Sequence, residues 1–207
     1  MKKTISVLLA VVLAFGFSSA FAKRLDYQPE RGAIVKFDEF KPTFTDLMAI
    51  YGYSIEWPSG PRSEDGYEVY EVGIARMDDG TMDLEVYTEN GAIAFFVLTG
   101  SVYDERDNLK WLFDSARGAC NAVFCILYLE DNANGGSWTA EGMVEAASED
   151  WTGLLNGLQA DISPDSTQYA YTTDVLGLPV GITVYQDGST AVMYVYIMNK
   201  NSRLRTE

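Results

Sequence analysis

Met82, Leu84 and Val86 alternate with Asp83, Glu85 and Tyr87, the period of two expected of a strand with one buried and one wet face. Asp79-Gly80 precedes this stretch and Asn90-Gly91 follows it; both are hairpin-turn dipeptides. Tyr67–Met77, rich in Tyr, Val and Ile, and Ala92–Leu98, apolar on both sides, supply neighbouring strands. The second of these patterns predicts a strand covered on both faces. Ahead of them, Phe40, Phe44, Leu47, Met48 and Tyr51 recur at three- and four-residue steps. That spacing predicts a helix over Asp38–Tyr51, with Pro42 in its first turn.

Leu109, Leu112, Phe113 and Ala116 return to helical spacing, which predicts a helix over Asp104–Arg117 with Gly118 as its stop. Ala122–Leu129 is continuously apolar and reads as a central buried strand; continuation of the helix through Leu129 is the competing reading. Glu130–Gly136 reads as a loop. Thr139–Gln159 is an amphipathic helix with Met143, Ala147, Trp151, Leu154, Leu155 and Leu158 inward. Strands are expected at Gln168–Thr173, Val180–Gln186 and Thr190–Met198, with Asp187-Gly188 as a turn.

These elements repeat. Trp151-Thr152-Gly153-Leu154-Leu155 answers Phe44-Thr45-Asp46-Leu47-Met48, and Ile162 with Pro164 answers Ile55 with Pro58. Ile182–Gly188, Ala191 and Val195 answer Leu84–Gly91, Ala94 and Leu98. The offset is 107 in the helix, 98 before the second turn and 97 after it. The expected fold is therefore α+β: two tandem α-βββ units, with antiparallel sheets and helices packed on one face. The organisation reads as a signal peptide at 1–22, an extended lead-in at 23–37, a first unit with bridging helix and apolar strand at 38–136, and a second unit with a polar tail at 137–207.

The signal peptide rests on Lys2 and Lys3, the apolar run Ile5–Phe17 and the Ala20-Phe21-Ala22 end. Cleavage after Ala22 predicts a periplasmic or secreted protein, and no other segment reads as a membrane span. Losing Lys2 and Lys3 leaves 13 basic residues against 30 acidic, a net charge near −17. No Lys or Arg occurs from Gly118 to Asn199, where ten acids do. Such a surface repels phosphate backbones and draws in cations, so nucleic acid is excluded as an expected partner and a basic protein or cationic ligand is favoured. Acidity that merely keeps a secreted protein soluble is the plainer alternative.

Histidine is absent, which removes Ser-His-Asp and Cys-His catalysis and the usual zinc sites. Cys120 and Cys125 would meet an oxidising compartment, but a spacing of five disfavours a disulfide between them. In a strand they lie roughly 16 Å apart on opposite faces, and in a helix about 140° apart around the axis. Two buried thiols are the expectation. Trp111 and Trp151 fall on helical faces and read as core, while Trp57 and Trp138 fall in loops.

Glu130, Asn132, Asn134 and Glu141, with Gly135 at the sixth position, stand at the spacing of oxygen ligands in a twelve-residue calcium loop. The stretch resembles the EF-hand family, and the resemblance implies Ca²⁺ held by those four residues. It departs from the family at Glu130, where an Asp is usual, and at Ser137, where an aliphatic is usual. The alternative is an Asn/Gly-rich loop with Ser137 or Thr139 as helix N-cap.

Tyr87 and Tyr185 fall at equivalent places opposite Val86 and Val184, and Tyr194 and Tyr196 share one face of the last strand. Tyrosines so placed stabilise a sheet by cross-strand pairing or present a protein-binding face. The leading expectation is a non-enzymatic, acidic binding protein outside the cytoplasm, in its most concrete form an inhibitor or immunity-type partner of a basic secreted protein. A calcium-binding envelope protein and a carboxylate-dependent hydrolase are the alternatives.

Overall fold

A computed structural model of the chain describes residues 35–78, 80–103, 106–133, 135–160, 168–187 and 190–198. The expected signal peptide, most of the lead-in, the polar tail, Asn134, Gly188 and the Ile162/Pro164 pair lie outside the described residues. Helix and strand are mixed: α1 (Phe37–Ile50), β1 (Arg62–Glu64), β2 (Tyr67–Met77), β3 (Gly80–Glu89), β4 (Ala92–Tyr103), α2 (Arg106–Ala133), α3 (Ala140–Gly157), β5 (Gln159–Ala160), β6 (Gln168–Val175), β7 (Leu178–Asp187) and β8 (Thr190–Met198). The strands form one antiparallel sheet in the order β1-β2-β3-β4-β8-β7-β6-β5. β4 and β8 meet at its centre, with Leu98 opposite Val195.

The period-two pattern in β3 holds, with Met82, Leu84 and Val86 buried and Asp83, Glu85 and Tyr87 on the other side. Those buried residues, with Phe96, Leu98, Ile182, Met193 and Val195, form one core with residues from all three helices. In α1 the core residues are Phe40, Phe44, Leu47 and Met48; in α3 they are Met143, Ala147, Trp151 and Leu154. Pro42 sits in the second turn of α1, not the first. Thr139 is the N-cap of α3, its Oγ1 accepting from the Gly142 N–H at 3.1 Å.

The largest correction concerns Ala122–Leu129, which is helix, not strand. α2 continues through Gly118, and through Glu130–Ala133 where a loop was expected. The run is apolar on every side because α2 is sandwiched between the sheet and both other helices, and a helix buried all round carries no amphipathic period to read. By length and composition α2 could cross a membrane, but most of it is buried inside the fold. Gly118 is a packing position: a Cβ there would lie 2.9 Å from the Tyr53 ring.

With both cysteines on α2, the disfavoured disulfide is absent. Cys120 and Cys125 are free and buried, and burial raises both thiols, Cys125 to about 12. We expect the folded protein to give no reaction with a thiol reagent such as dithionitrobenzoate, and two equivalents in denaturant. Prompt reaction of either cysteine in the native state would contradict this placement.

In β4 the described helices lie against one face only, yet Phe95 on the other face is buried as well as Phe96. A β-bulge falls where Tyr87 pairs with Phe95 but Thr88 pairs with Ile93, leaving Ala94 unpaired. The extra residue reverses the alternation. Phe96 and Ile93 face the helices, and Phe95 is turned to the opposite side, where it packs with Tyr67 and Val69.

Candidate functional site: the outward face of the sheet

The three described helices pack on one side of the sheet and contribute to one core. Antiparallel pairing then orders the outward residues into rows. One row runs Val69–Tyr87–Phe95 from β2 to β4. The next runs Glu71–Glu85–Val97–Tyr196–Gly181–Thr172 across six strands. A third runs Gly73–Asp83–Thr99–Tyr194–Thr183–Ala170. A fourth takes Ser101, Val192, Tyr185 and Gln168 from β4 to β6.

The four tyrosines expected to form a protein face, Tyr87, Tyr185, Tyr194 and Tyr196, therefore share this side. They do not form one group. Tyr185 meets Tyr194 edge-on at 6.2 Å between ring centroids, and Tyr194 stacks with Tyr196 at 6.2 Å. Tyr185 is 45% exposed, and its hydroxyl accepts from Gln168 Nε2 at 3.3 Å. Burial, and then the neighbouring Tyr194 and Tyr185, raise the Tyr196 hydroxyl above the usual tyrosine value.

Tyr87 lies across the central seam in a second cluster. It stacks on Phe95 at 4.1 Å, and Tyr67 meets both rings edge-on at 6.1 and 5.3 Å. Its hydroxyl donates to Glu85 Oε2 at 3.2 Å. Burial, followed by the Glu85 charge, raises its ionisation. Sequence reasoning passed over Tyr67 and Phe95 as members of this face. The available signal was the adjacent Phe95-Phe96 pair, since two successive strand residues point to opposite sides.

The first half of this face is charged and its cations are committed. Arg62 bridges Glu64 and Glu85, and Arg76 bonds Asp83 and donates to the Met82 carbonyl at 3.1 Å. The outward residues Ala170, Thr172, Thr183, Tyr185, Val192, Tyr194 and Tyr196 of the second half are apolar or hydroxyl-bearing, and Asp174 is an exposed acid on the same side of β6. The face thus joins a half rich in charged residues to a half rich in hydroxyls.

The residues at calcium-loop spacing are dispersed among different environments. Glu130 is inside α2 and 2% exposed. Burial, with the charge of Glu39 adding to it, raises its carboxyl to about 8. Asn132 uses its Oδ1 to accept from the Trp138 N–H at 2.8 Å, and Asp131 accepts from the Trp138 indole at 2.9 Å. Asn134 lies outside the described residues, and Glu141 is exposed in the first turn of α3. Among the described residues, no three Cys, Asp or Glu side chains converge in a way that could hold a metal ion.

The loop tryptophans are structural. Trp57 packs edge-on against Phe37, Phe40 and Phe44 of α1 and donates to Thr45 Oγ1 at 3.0 Å. Trp138 meets Tyr128 edge-on at 4.7 Å, locking the α2–α3 turn.

Comparison with known proteins finds no family model that matches the chain, no similar curated protein and no similar solved structure.

Proposed function

We propose that this is a non-enzymatic, acidic binding protein acting in the periplasm or outside the cell, and that the outward sheet face engages a basic protein partner. An inhibitor or immunity-type role toward a basic secreted protein is its most specific form. The observation that carries the reading is the position of Tyr87, Tyr185, Tyr194 and Tyr196 on the side of the sheet that bears none of the described helices, in a chain of net charge −15. Tyrosines give contact area at low entropic cost, and the acidic surroundings steer a cationic partner toward them.

Affinity capture of envelope proteins tests this, comparing wild type with a Tyr194→Ala/Tyr196→Ala variant. A basic protein should be retained by wild type at low salt and released at about 0.5 M salt, where exposed charges are screened within a few ångströms. The double variant should lose about tenfold or more in affinity, the scale of a central aromatic anchor. A partner held equally at both salt concentrations, or equally by both proteins, would remove the reading.

We also infer that the chain arose as two α-βββ units. Support comes from the registers. Glu89 pairs with Ala92 as Asp187 pairs with Thr190, and Val86 pairs with Phe96 as Val184 pairs with Met193. The offset of 98 before the turn and 97 after it is accounted for by the bulge at Ala94, not by the turn. Ala191 then corresponds to Ile93, both buried, and Ala94 has no counterpart. Leu98 and Val195, equivalent at the offset of 97, are paired with each other at the seam. Phe44 and Trp151, and Leu47 and Leu154, are buried at matching places in α1 and α3.

A further inference from the structure

Counted from their turns, the β2–β3 and β6–β7 hairpins pair in one register. Met77 faces Gly80 and Arg76 faces Thr81; Val175 faces Leu178 and Asp174 faces Pro179. Asp174 therefore stands where Arg76 stands, and Gly181 where Asp83 stands, each pair a cross-strand diagonal on the outward face. The first hairpin fills this diagonal itself. Arg76 bonds Asp83, and its guanidinium lies over Gly73, the cross-strand partner of Asp83. A Cβ on Gly73 would be 3.2 Å from Arg76 Nη2.

The second hairpin leaves the diagonal open. Among the described atoms, a Cβ on Gly181 would meet only Thr172 Cγ2 at 3.4 Å and the Tyr171 carbonyl oxygen at 3.7 Å, both ordinary contacts. Gly181 is thus a notch in the outward surface, of the kind a strand glycine provides where another group approaches closely. Tyr196 of β8 is its direct partner and stands on one side. Asp174 is exposed on the other, at a diagonal spacing of about 7–8 Å that a long side chain crosses. No Lys or Arg occurs from Gly118 to Asn199, so the strands around the notch have no cation of their own to place there.

We propose that this notch receives an arginine of the basic partner, its stem over Gly181 against the Tyr196 ring and its guanidinium on the Asp174 carboxylate. Arg76, over Gly73 and beside Asp83, is the internal precedent for that fit. Arginine suits the notch better than lysine, because a planar guanidinium stacks on an aromatic face and forks onto a carboxylate. The assignment rests on the reading of this face as the partner surface and names the side chain that the face recognises.

Hexa-arginine and hexa-lysine peptides are the probes, titrated into the full chain and followed by amide NMR shifts. Hexa-arginine should bind about threefold or more tighter than hexa-lysine, with its largest shifts at Thr172, Asp174 and Gly181. Gly181→Val fills the notch with a residue that strands favour, and Asp174→Asn removes the charge at constant shape. Thermal unfolding should show both variants folded as wild type is. Each should cost hexa-arginine about fivefold or more in affinity and erase its preference over hexa-lysine. Equal affinity of wild type for the two peptides overturns the notch. So does unchanged hexa-arginine binding by folded Gly181→Val, or a set of shifts centred on Glu71 and Glu85. Captured partners separate this inference from the broader reading. A basic protein lost by Tyr194→Ala/Tyr196→Ala but fully held by Gly181→Val overturns the notch and leaves the face. Arginine-selective binding at the notch, with no basic protein captured, keeps the notch and overturns the partner.

Discussion

Replacing Glu130 by glutamine should raise stability at pH 9 and leave it nearly unchanged near pH 5. The unfolded carboxyl titrates near 4.5 and the folded one near 8, so between those values the native state holds a proton that the unfolded state has lost. Stability contributed by the protonated form is therefore full below about pH 4.5. It declines as pH rises through that window and levels off above about pH 8. Each pH unit separating the two values is worth about 1.4 kcal/mol, which makes the loss across the window on the order of 3–5 kcal/mol. The glutamine variant removes this group's titration and flattens the slope. Glu39→Gln should shift the balance in the same direction by less, since burial outranks the Glu39 charge as the cause. Urea unfolding at pH 5, 7 and 9 measures both, and identical slopes for wild type and Glu130→Gln would refute the assignment.

The second large effect is expected where α2 crosses the centre of the sheet. Gly100 is on the core side of β4, and a Cβ there would lie 2.4 Å from Leu112 Cδ1 and 2.6 Å from Met82 Cε. Leu112 is fully buried. Gly100→Ala should cost about 1–3 kcal/mol by forcing both side chains off their rotamers. Leu112→Ala should cost about 2–5 kcal/mol through the cavity it opens. Because the new methyl would occupy part of that cavity, the double variant should be less destabilised than the sum of the singles. A coupling of at least about 1 kcal/mol is expected. Additive costs would mean that the close approach of helix to strand at Gly100 is not what holds the two in place.

How far the fold could be read from the residues depended on whether a pattern had one solution. β2 was legible to its bounds, and β3 nearly so, because alternating residues between two turn dipeptides admit little else. α1 and α3 were legible from their apolar stripes. α2 was not, since Ala122–Leu129 is enclosed on all sides and enclosure erases the period that distinguishes helix from strand. The same error hid Glu130, which reads as a loop ligand in sequence; its burial follows only from α2 continuing through Ala133. At the outward face, the four tyrosines were placed on the correct side. Their division into two clusters followed from Ala94, a residue with no local mark of a bulge.

The seam between β4 and β8 has a kinetic consequence. It joins residues roughly a hundred positions apart in the chain, whereas the β2–β3, β3–β4 and β7–β8 hairpins close over short turns. Loop-closure entropy therefore makes the seam the late and slow contact, formed after the local hairpins. Until it forms, β4 and β8 are long, hydrophobic, unpaired edges. In the native sheet the outermost strands are instead β1 and β5, three and two residues long, and β4 and β8 are paired on both sides. The two longest apolar edges are thus withdrawn only with the last step of folding, and the chain is most open to edge-to-edge aggregation in the interval before it.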